Sequence, residues 1–387
     1  MNNRHIYLDH NASTPIDPEV LETVIQISRD LYANPSSIEH RGGSAARKSI
    51  EEARIQIGTT IGCRATEIIF TSGSTEANNL AIIGSFPELK KNDRTHLITS
   101  QIEHPSVLAC FDVLERQGAQ VTRLSVNEEG VISLEEFKSA ITTNTGFVSI
   151  MAANNETGVL QPIHKIGAIC EEHDIIFHTD YSQASAYIPL DLSQSPIHLA
   201  SFSGHKAYGP KGVGALYRSL RKPRVKLTPV LHGGGQEMGL RSGTMNTAGI
   251  AGLGHAFSII EERIHNDAVH IGSLRDQLQD ILQKSEGVQI NGSNVARLPN
   301  TISLSITNIE PLALMHELRE NLTFSASSAC ATDKVQTSHV LLAMFGESVR
   351  ARTAFRLGLG RISNPSEILQ VANMITAACI KLRKRKI

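Results

Sequence analysis

A regular alternation of short apolar runs with amphipathic segments, over residues 67–178, is the feature that most constrains the fold of this chain. The segments between the runs repeat their apolar residues at the period of a helix. The runs predict buried strands at 67–70, 96–99, 121–125, 147–151 and 175–178. Strands that alternate with helices form a mostly parallel sheet covered by helices on both faces. We therefore expect an α/β fold.

The regions before and after this alternation predict a second, smaller unit. Asp17 followed by Pro18 predicts the start of a helix, and another helix is expected at 44–60. A long helical pattern at 256–285 is followed by further strands and helices. We expect a large domain over residues 1–255 and a small α+β domain over 256–387. The first 15–30 residues should pack with the small domain.

Composition excludes several classes of protein. The net charge is −1, so no basic field concentrates nucleic acid or an anionic membrane surface. The five cysteines are widely spaced and form no Cys-x-x-Cys pair, which disfavours a disulfide framework or a compact zinc site. No signal peptide and no apolar run of membrane-spanning length is visible. We expect a cytoplasmic protein without a metal.

Lys206 lies between an apolar run at 197–202 and a second one at 213–217, in the sequence Ser203-Gly204-His205-Lys206. Ligands of open α/β sheets bind at the ends of strands. Burial among apolar and hydroxyl groups lowers the pKa of an amine and makes it a nucleophile toward carbonyls. A surface turn with a solvated lysine accounts for these residues equally well.

Other predicted strands also end in polar residues. Ser74 and Thr75 open a helix, where they suit either a phosphate or a simple N-cap. His104 suits stacking on a flat cofactor or proton transfer, and Asp180 suits a cationic ring nitrogen; a structural histidine and a capping aspartate are the alternatives. Asn155 lies in a turn with the same ambiguity. Together with Lys206, these groups match what pyridoxal 5'-phosphate requires.

The C-terminal part adds a thiol and a cluster of arginines. Cys330 lies in a predicted loop at 323–340 whose small, polar residues favour exposure and reactivity. The other cysteines have apolar or helical surroundings and are interpreted as packing residues. Guanidinium groups suit a substrate carboxylate, and this segment supplies Arg350, Arg352, Arg356 and Arg361.

Several motifs in a fixed order carry a family resemblance. They are Tyr7-Leu8-Asp9, Asn34-Pro35-Ser36-Ser37, Thr71-Ser72-Gly73-Ser74-Thr75-Glu76, Glu103-His104, Asn154-Asn155-Glu156, Asp180 with Gln183, Ser203-Gly204-His205-Lys206, Arg241-Ser242-Gly243-Thr244, Ser328-Ala329-Cys330 and Arg356-Leu357-Gly358-Leu359-Gly360-Arg361. Almost the whole chain resembles the group I, NifS/IscS-like cysteine desulfurases. These are fold-type I pyridoxal-phosphate enzymes of the class V aminotransferase family.

The resemblance implies a role for each matching residue around the cofactor. Lys206 would bond the cofactor and move the substrate Cα proton, while His104 would stack on the ring and act as an acid and base. Asp180 would pair with the ring nitrogen and Gln183 with the ring oxygen. The phosphate would be held by Ser74, Thr75, Ser203 and His205, and by Thr244 of a partner subunit, which implies a homodimer.

The resemblance also implies the substrate and the reaction. Asn34, Asn155 and Arg356 would bind L-cysteine, with Asn155 also beside the cofactor. Cys330 would attack the substrate sulfur and become a persulfide while L-alanine leaves. The sulfur would pass to an acceptor protein, either a cluster scaffold, a tRNA-thiolation protein or a DNA-phosphorothioation partner. An aminotransferase, another lyase such as selenocysteine lyase, and a non-catalytic assembly subunit are the competing hypotheses.

Overall fold

The structure is a computed structural model that describes residues 5–326 and 337–385. The chain begins with β1 (Ile6–Tyr7), α1 (Pro18–Asp30) and α2 (Arg41–Thr60). The predicted helix start is confirmed, because the side chain of Asp17 accepts a hydrogen bond from the amide of Glu19 and Pro18 occupies the first turn. None of the helices in these described ranges is long and apolar enough to cross a membrane.

A seven-stranded central sheet confirms the predicted α/β fold. Its strands are β2 (Ile68–Thr71), β3 (His96–Ser100), β4 (Gln120–Leu124), β5 (Thr145–Ser149), β6 (Ile176–Asp180), β7 (Leu199–Ser203) and β8 (Gly214–Arg218). Their order in the sheet is β2-β8-β7-β6-β5-β3-β4. Only β8 runs against the others, because it pairs antiparallel with both of its neighbours. The carboxyl ends of the remaining strands therefore meet at one edge.

Helices cover both faces of this sheet, which explains why β2, β3, β5 and β7 are buried along their whole length. The helices are α3 (Ser74–Lys91), α4 (Pro105–Arg116), α5 (Leu134–Ala140) and α6 (Ile163–Glu172). Ile68 and Phe70 pack in one apolar cluster, whereas Ile69 between them packs in another. Successive side chains of a strand point to opposite faces. The sheet therefore lies between two cores.

A long helix, α7 (Thr247–Leu282), starts well before the predicted helix at 256–285. Glycines weaken the helical pattern at its beginning, and two of them are required by close packing. A Cβ on Gly254 would lie 2.5 Å from the Cα of Ala53 in α2, and a Cβ on Gly252 would lie 2.5 Å from Val24 in α1. The contact with α1 and α2 thus explains both the glycines and the missed start.

The C-terminal part builds a smaller, four-stranded antiparallel sheet in the order β12-β13-β10-β9. Its elements are β9 (Val288–Ile290), β10 (Thr301–Ile306), α8 (Pro311–Leu318), β11 (Leu322–Thr323), β12 (Ser325–Ala326), α9 (His339–Phe345), α10 (Val349–Arg352), β13 (Ala354–Gly358) and α11 (Pro365–Lys384). β1 pairs in parallel with β11, and Asp9 bridges to Gly358. The division of the chain at residue 255 stays a prediction, and α7 runs through it without a break.

Candidate active site

A cavity of about 230 Å³ lies where the carboxyl edge of the central sheet meets β13 and the segment after β1. It is lined by Asn11, Ala12, Ser74, His104, Met151, Ala153, Asn155, Asp180, Ser182, Gln183, Lys206 and Arg356. The predicted residues Ser74, His104, Asn155, Asp180, Gln183, Lys206 and Arg356 are therefore brought together here. Six of them lie at the ends of β2, β3, β5, β6 and β7 or in the turns that follow these strands. Arg356 lies in β13.

Lys206 lies in a tight turn directly after β7. The turn requires glycine at position 204, since a Cβ there would lie 2.5 Å from the carbonyl oxygen of Pro210. The ammonium donates hydrogen bonds to the carbonyl oxygens of Asn11 and Ala12, the second at 2.8 Å. Burial, with a smaller contribution from the nearby Arg356, lowers the pKa of Lys206 to about 8. The amine is thus available as a nucleophile near neutral pH.

The start of α3 forms an open cradle of hydrogen-bond donors. Gly73 has φ = 152°, and a Cβ on it would meet open space beside the Oγ of Ser203, 3.9 Å away. Backbone amides at a helix N-terminus attract anions. The amides at the start of α3 thus border the open space between Gly73 and Ser203, which suits a phosphate. Thr75 is exposed in the same turn, and His205 lies half-buried in the turn before Lys206.

His104 and Asp180 are both held by hydrogen bonds from their neighbours. His104 caps α4, and its Nδ1 accepts from the amide of Ser106 at 3.1 Å. Burial lowers the pKa of His104, and Asp180 opposes this shift. The carboxylate of Asp180 accepts from the side chain of Asn78 at 2.9 Å and from the amide of Ser182 at 3.0 Å. Asp180 is therefore positioned as an anion next to an uncharged imidazole.

Arg356 forms the opposite end of the cavity. Its Nη2 donates to Asp9 at 2.7 Å and to Ser325 at 3.1 Å, and its Nη1 donates to the carbonyl oxygen of Asn155 at 2.6 Å. Its Nε is buried and has no partner among the described residues. A buried N–H without a partner is costly. Arg356 as a residue lines the cavity, and a carboxylate fits the geometry of a guanidinium.

Asn11 was missed as a site residue, although it lines the cavity. Its carbonyl oxygen accepts from Lys206 and also from the Nε2 of Gln183 at 2.9 Å. Its side chain donates to Thr301 at 2.8 Å, in the small sheet. No local pattern links these residues, because the chain separates Asn11 from Gln183 by 172 positions. Asp9, Asn78, Ser106 and Ser182 were also missed as site residues.

Five of the predicted residues that the structure describes do not line this cavity, namely Asn34, Thr75, Ser203, His205 and Thr244. Asn34 and Thr244 are exposed on two surface loops. The loops lie next to each other, since Pro35, Ser36, Gly235 and Gln236 line one surface pocket. Cys330 lies outside the described residues, as does most of its predicted loop at 323–340. The four described cysteines, Cys63, Cys110, Cys170 and Cys379, are free thiols.

Comparisons with known proteins agree with this arrangement. The family model for class-V aminotransferases matches residues 6–371. A mitosomal cysteine desulfurase from Trachipleistophora hominis is 43% identical over 384 residues, covering 98% of this chain and 87% of that protein. A solved NifS-like protein superimposes with a TM-score of 0.90 at 36% identity, covering 97% of this chain and 99% of that one. The chain belongs to the NifS-like cysteine desulfurase family.

A third similar protein is SspA, whose structure was solved in complex with cysteine. It superimposes with a TM-score of 0.79 at 37% identity, covering 92% of this chain and 98% of that one. The resemblance inferred from the sequence motifs is thus confirmed. All the residues that line the cavity lie within the part of the chain that the class-V family model matches.

The residues present fit the cofactor that the family implies. A flat, phosphate-bearing aldehyde needs an amine, an anion site and a partner for its ring nitrogen. The buried amine of Lys206, the open space between Gly73 and Ser203, and the carboxylate of Asp180 meet these needs. The pocket therefore provides one group for each reactive part of pyridoxal phosphate.

Proposed function

We propose that this protein is a pyridoxal-phosphate-dependent cysteine desulfurase, which converts L-cysteine to L-alanine and carries the sulfur as a persulfide on Cys330. One observation carries the proposal: a buried lysine, a carboxylate and an arginine line the same cavity, in Lys206, Asp180 and Arg356. The names of the relatives support cysteine as the substrate.

The groups at the lysine end act on the cofactor and the substrate amine. Pyridoxal phosphate would supply an aldehyde and an electron-withdrawing ring. Lys206 is the nucleophile for that aldehyde, because its lowered pKa leaves part of the amine uncharged at neutral pH. Asp180 would hold a proton on the ring nitrogen, and Gln183 would donate to the ring oxygen. The backbone at Gly73, with Ser74, Thr75, Ser203 and His205, would hold the phosphate.

The groups at the arginine end recognise the substrate carboxylate. Arg356 lines the cavity, and its Nη groups are fixed by Asp9 and Asn155. A preoriented guanidinium binds a carboxylate through two parallel hydrogen bonds. We expect L-cysteine to be bound through this contact, with its amine toward Lys206. Asn155 contributes through its backbone, and its side chain lines the cavity.

The sulfur transfer is balanced without an external oxidant or reductant. The thiolate of Cys330 attacks the substrate sulfur, a sulfur–sulfur bond forms and the carbon–sulfur bond breaks. The bonding electron pair stays with the carbon, which takes up a proton and leaves as L-alanine. The products are one alanine and one persulfide for each cysteine consumed. A thiol on the enzyme is what separates this reaction from transamination.

A homodimer would complete the site. Exposed apolar side chains surround the loops of Asn34 and Thr244, among them Tyr32, which is 87% exposed, and Met238, which is 58% exposed. Large exposed apolar groups close together mark protein contacts. We infer that these loops pack against a second copy, so that Thr244 reaches the phosphate in the partner's site. Arg241 supports the loop through a 2.8 Å ion pair with Glu76 of α3.

The proposal also covers the protein that accepts the sulfur and the cellular compartment. A cluster scaffold, a tRNA-thiolation protein and a DNA-phosphorothioation partner are all compatible with a persulfide donor. Free thiols at Cys63, Cys110, Cys170 and Cys379 support a reducing compartment such as the cytoplasm.

Replacing Cys330 with serine tests the proposal. The purified protein is loaded with pyridoxal phosphate and incubated with L-cysteine, and alanine, sulfide and protein-bound persulfide are measured. Cys330→Ser should keep the visible absorption of the bound cofactor but form neither persulfide nor sulfide. Cys63→Ser is the matched control, because burial raises the pKa of that thiol to about 12 and it should retain full activity. Sulfide release by Cys330→Ser at the wild-type rate would contradict the persulfide role.

A further inference from the structure

A chain of hydrogen bonds joins His104 to Asp180 behind the cavity. The Nδ2 of Asn78 donates to Asp180 at 2.9 Å and to the Oγ of Ser106 at 3.0 Å. The same Oγ lies 2.8 Å from the Nδ1 of His104. Asn78 is fully buried in α3, and Ser106 is in the first turn of α4. Residues of two helices therefore link His104, at the start of α4, to Asp180, at the end of β6.

The direction of these hydrogen bonds is fixed at Asn78. A carboxylate can only accept, so the amide nitrogen of Asn78 must face Asp180. The amide oxygen, Oδ1, points away and has no partner among the described residues. Reversing the amide would place this oxygen against the carboxylate. Since the Oγ of Ser106 already accepts from Asn78, its own proton is directed to the Nδ1 of His104.

A second donor points to the same ring nitrogen. The backbone amide of Ser106 donates to the Nδ1 of His104 at 3.1 Å, as part of the N-terminal cap of α4. A backbone amide cannot act as an acceptor, so Nδ1 must carry a lone pair. The proton of the neutral imidazole is then on Nε2. Within the described ranges Nε2 has no hydrogen-bond partner, and the ring of His104 lines the cavity.

We propose that Ser106, oriented by Asn78, is a positioning residue that fixes His104 as the Nε2–H tautomer and presents this proton to the cavity. Its relevance to turnover rests on the proposed desulfurase function. His104 then acts first as a hydrogen-bond donor to a group bound in the cavity. It can accept a proton only after the two donors at Nδ1 have moved.

The surroundings of His104 determine how it should titrate. Asp180 favours the charged imidazolium, whereas Lys206 and His339 disfavour it, and burial is the largest cause that lowers the pKa of His104. Glu103 precedes His104 on the chain, and its carbonyl oxygen accepts from the Nε2 of His339 at 2.9 Å. Removing the hydroxyl of Ser106 removes a donor that stabilises the neutral ring. The pKa of His104 should therefore rise, by about half a unit to one unit.

The experiment measures the tautomer directly and does not depend on turnover. Full-length protein with ¹⁵N-labelled histidine is titrated by NMR, both as purified and after addition of pyridoxal phosphate, and His104→Gln assigns the signal. We expect protonated Nε2 and unprotonated Nδ1 in the wild type. In Ser106→Ala the titration should move to higher pH, and Ser106→Thr should restore it because the hydroxyl is kept.

Two variants separate this effect from a general loss of packing. Asn78→Ala should move the titration in the same direction as Ser106→Ala. Ser85→Ala removes another hydroxyl of α3, one that donates to the carbonyl oxygen of Ala81 at 2.6 Å, and should leave His104 unchanged. Protonated Nδ1 in the wild type, or an unchanged titration in Ser106→Ala, would overturn the proposal. Either result leaves the desulfurase function standing, which the Cys330→Ser assay tests separately.

Discussion

The two ends of the cavity are built in different ways. At the lysine end, the side chains come from one sheet. Asp180 is the last residue of β6, while Lys206 follows β7 and His104 follows β3. At the arginine end, Arg356 in β13 meets Asp9 near the N-terminus and Ser325 in β12. The lysine end is built on the central sheet and on the segment after β1, which supplies the carbonyl oxygens of Asn11 and Ala12 to Lys206, whereas the arginine end needs two sheets to pack correctly. Cofactor attachment and substrate recognition should therefore be separable by mutation.

The two ends also differ in charge. Burial lowers the pKa values of Lys206 and His104, so these groups tend toward their neutral forms. Arg356 instead forms a 2.7 Å ion pair with Asp9, whose side chain is 14% exposed. A neutral nucleophile suits covalent chemistry, and a paired cation suits recognition of an anion.

The largest effect is expected from Lys206→Ala, which removes the nucleophile of the lysine end. Alanine formation from L-cysteine should fall by about 10³-fold or more. The absorption of covalently bound cofactor should be lost, and borohydride should no longer fix the cofactor to the protein. A borohydride-stable adduct in this variant would show that another amine bonds the cofactor. It would contradict the assignment of Lys206 as the nucleophile of the lysine end.

Arg356→Lys should affect recognition and leave cofactor attachment intact. Lysine keeps the charge but lacks the planar fork, so KM for L-cysteine should rise by about 10- to 100-fold. The absorption spectrum of the bound cofactor should match the wild type. If the spectrum is lost together with substrate binding, the two ends are not independent.

Ser325→Ala tests a smaller contribution at the arginine end. The hydroxyl of Ser325 donates to Asp9 at 2.8 Å and accepts from Arg356, so it holds the ion pair in place. We expect kcat/KM for L-cysteine to fall by about 3- to 10-fold. Ser305→Ala is a matched control in the small sheet, because its hydroxyl donates to the carbonyl oxygen of Arg350 instead. Equal losses in both variants would assign the effect to stability of the sheet.

The smallest effect is expected on the stability of the folded protein and comes from Glu103, at the lysine end. Burial raises the pKa of Glu103 to about 8, against hydrogen bonds from Ser100 and the amide of Met151 that lower it. The folded state therefore binds a proton that the unfolded state releases above about pH 4.5. Stability from this group is present at low pH and is lost as the pH rises toward 8.

Glu103→Gln should remove this pH dependence. Relative to the wild type, the melting temperature of the variant should rise by a few degrees as the pH increases from 5 to 8. The measurement is thermal unfolding of both proteins across this range, without substrate. Parallel curves for the two proteins would show that Glu103 does not titrate between these values.

Much of the lysine end could be predicted from the sequence because each signal is local. An apolar run followed by Ser203-Gly204-His205-Lys206 contains both the strand and its turn. The residues that hold Asp180 and His104 in place could not be predicted. Asn78 and Ser106 lie in helices whose polar residues resemble ordinary helix caps. Only the folded chain brings the Nδ2 of Asn78 to 2.9 Å from Asp180.

The sequence by itself determined the α/β class, the family and the identity of the reactive lysine. These follow from periodicity and from short motifs, both of which are read within a few residues. Tertiary structure alone decided that Asp9 and Asn155 fix Arg356, and that the hydrogen bonds at His104 run from Asp180 through Asn78 and Ser106. The physical reason is that these contacts join residues far apart on the chain, and their partners are selected by packing, which local patterns do not encode.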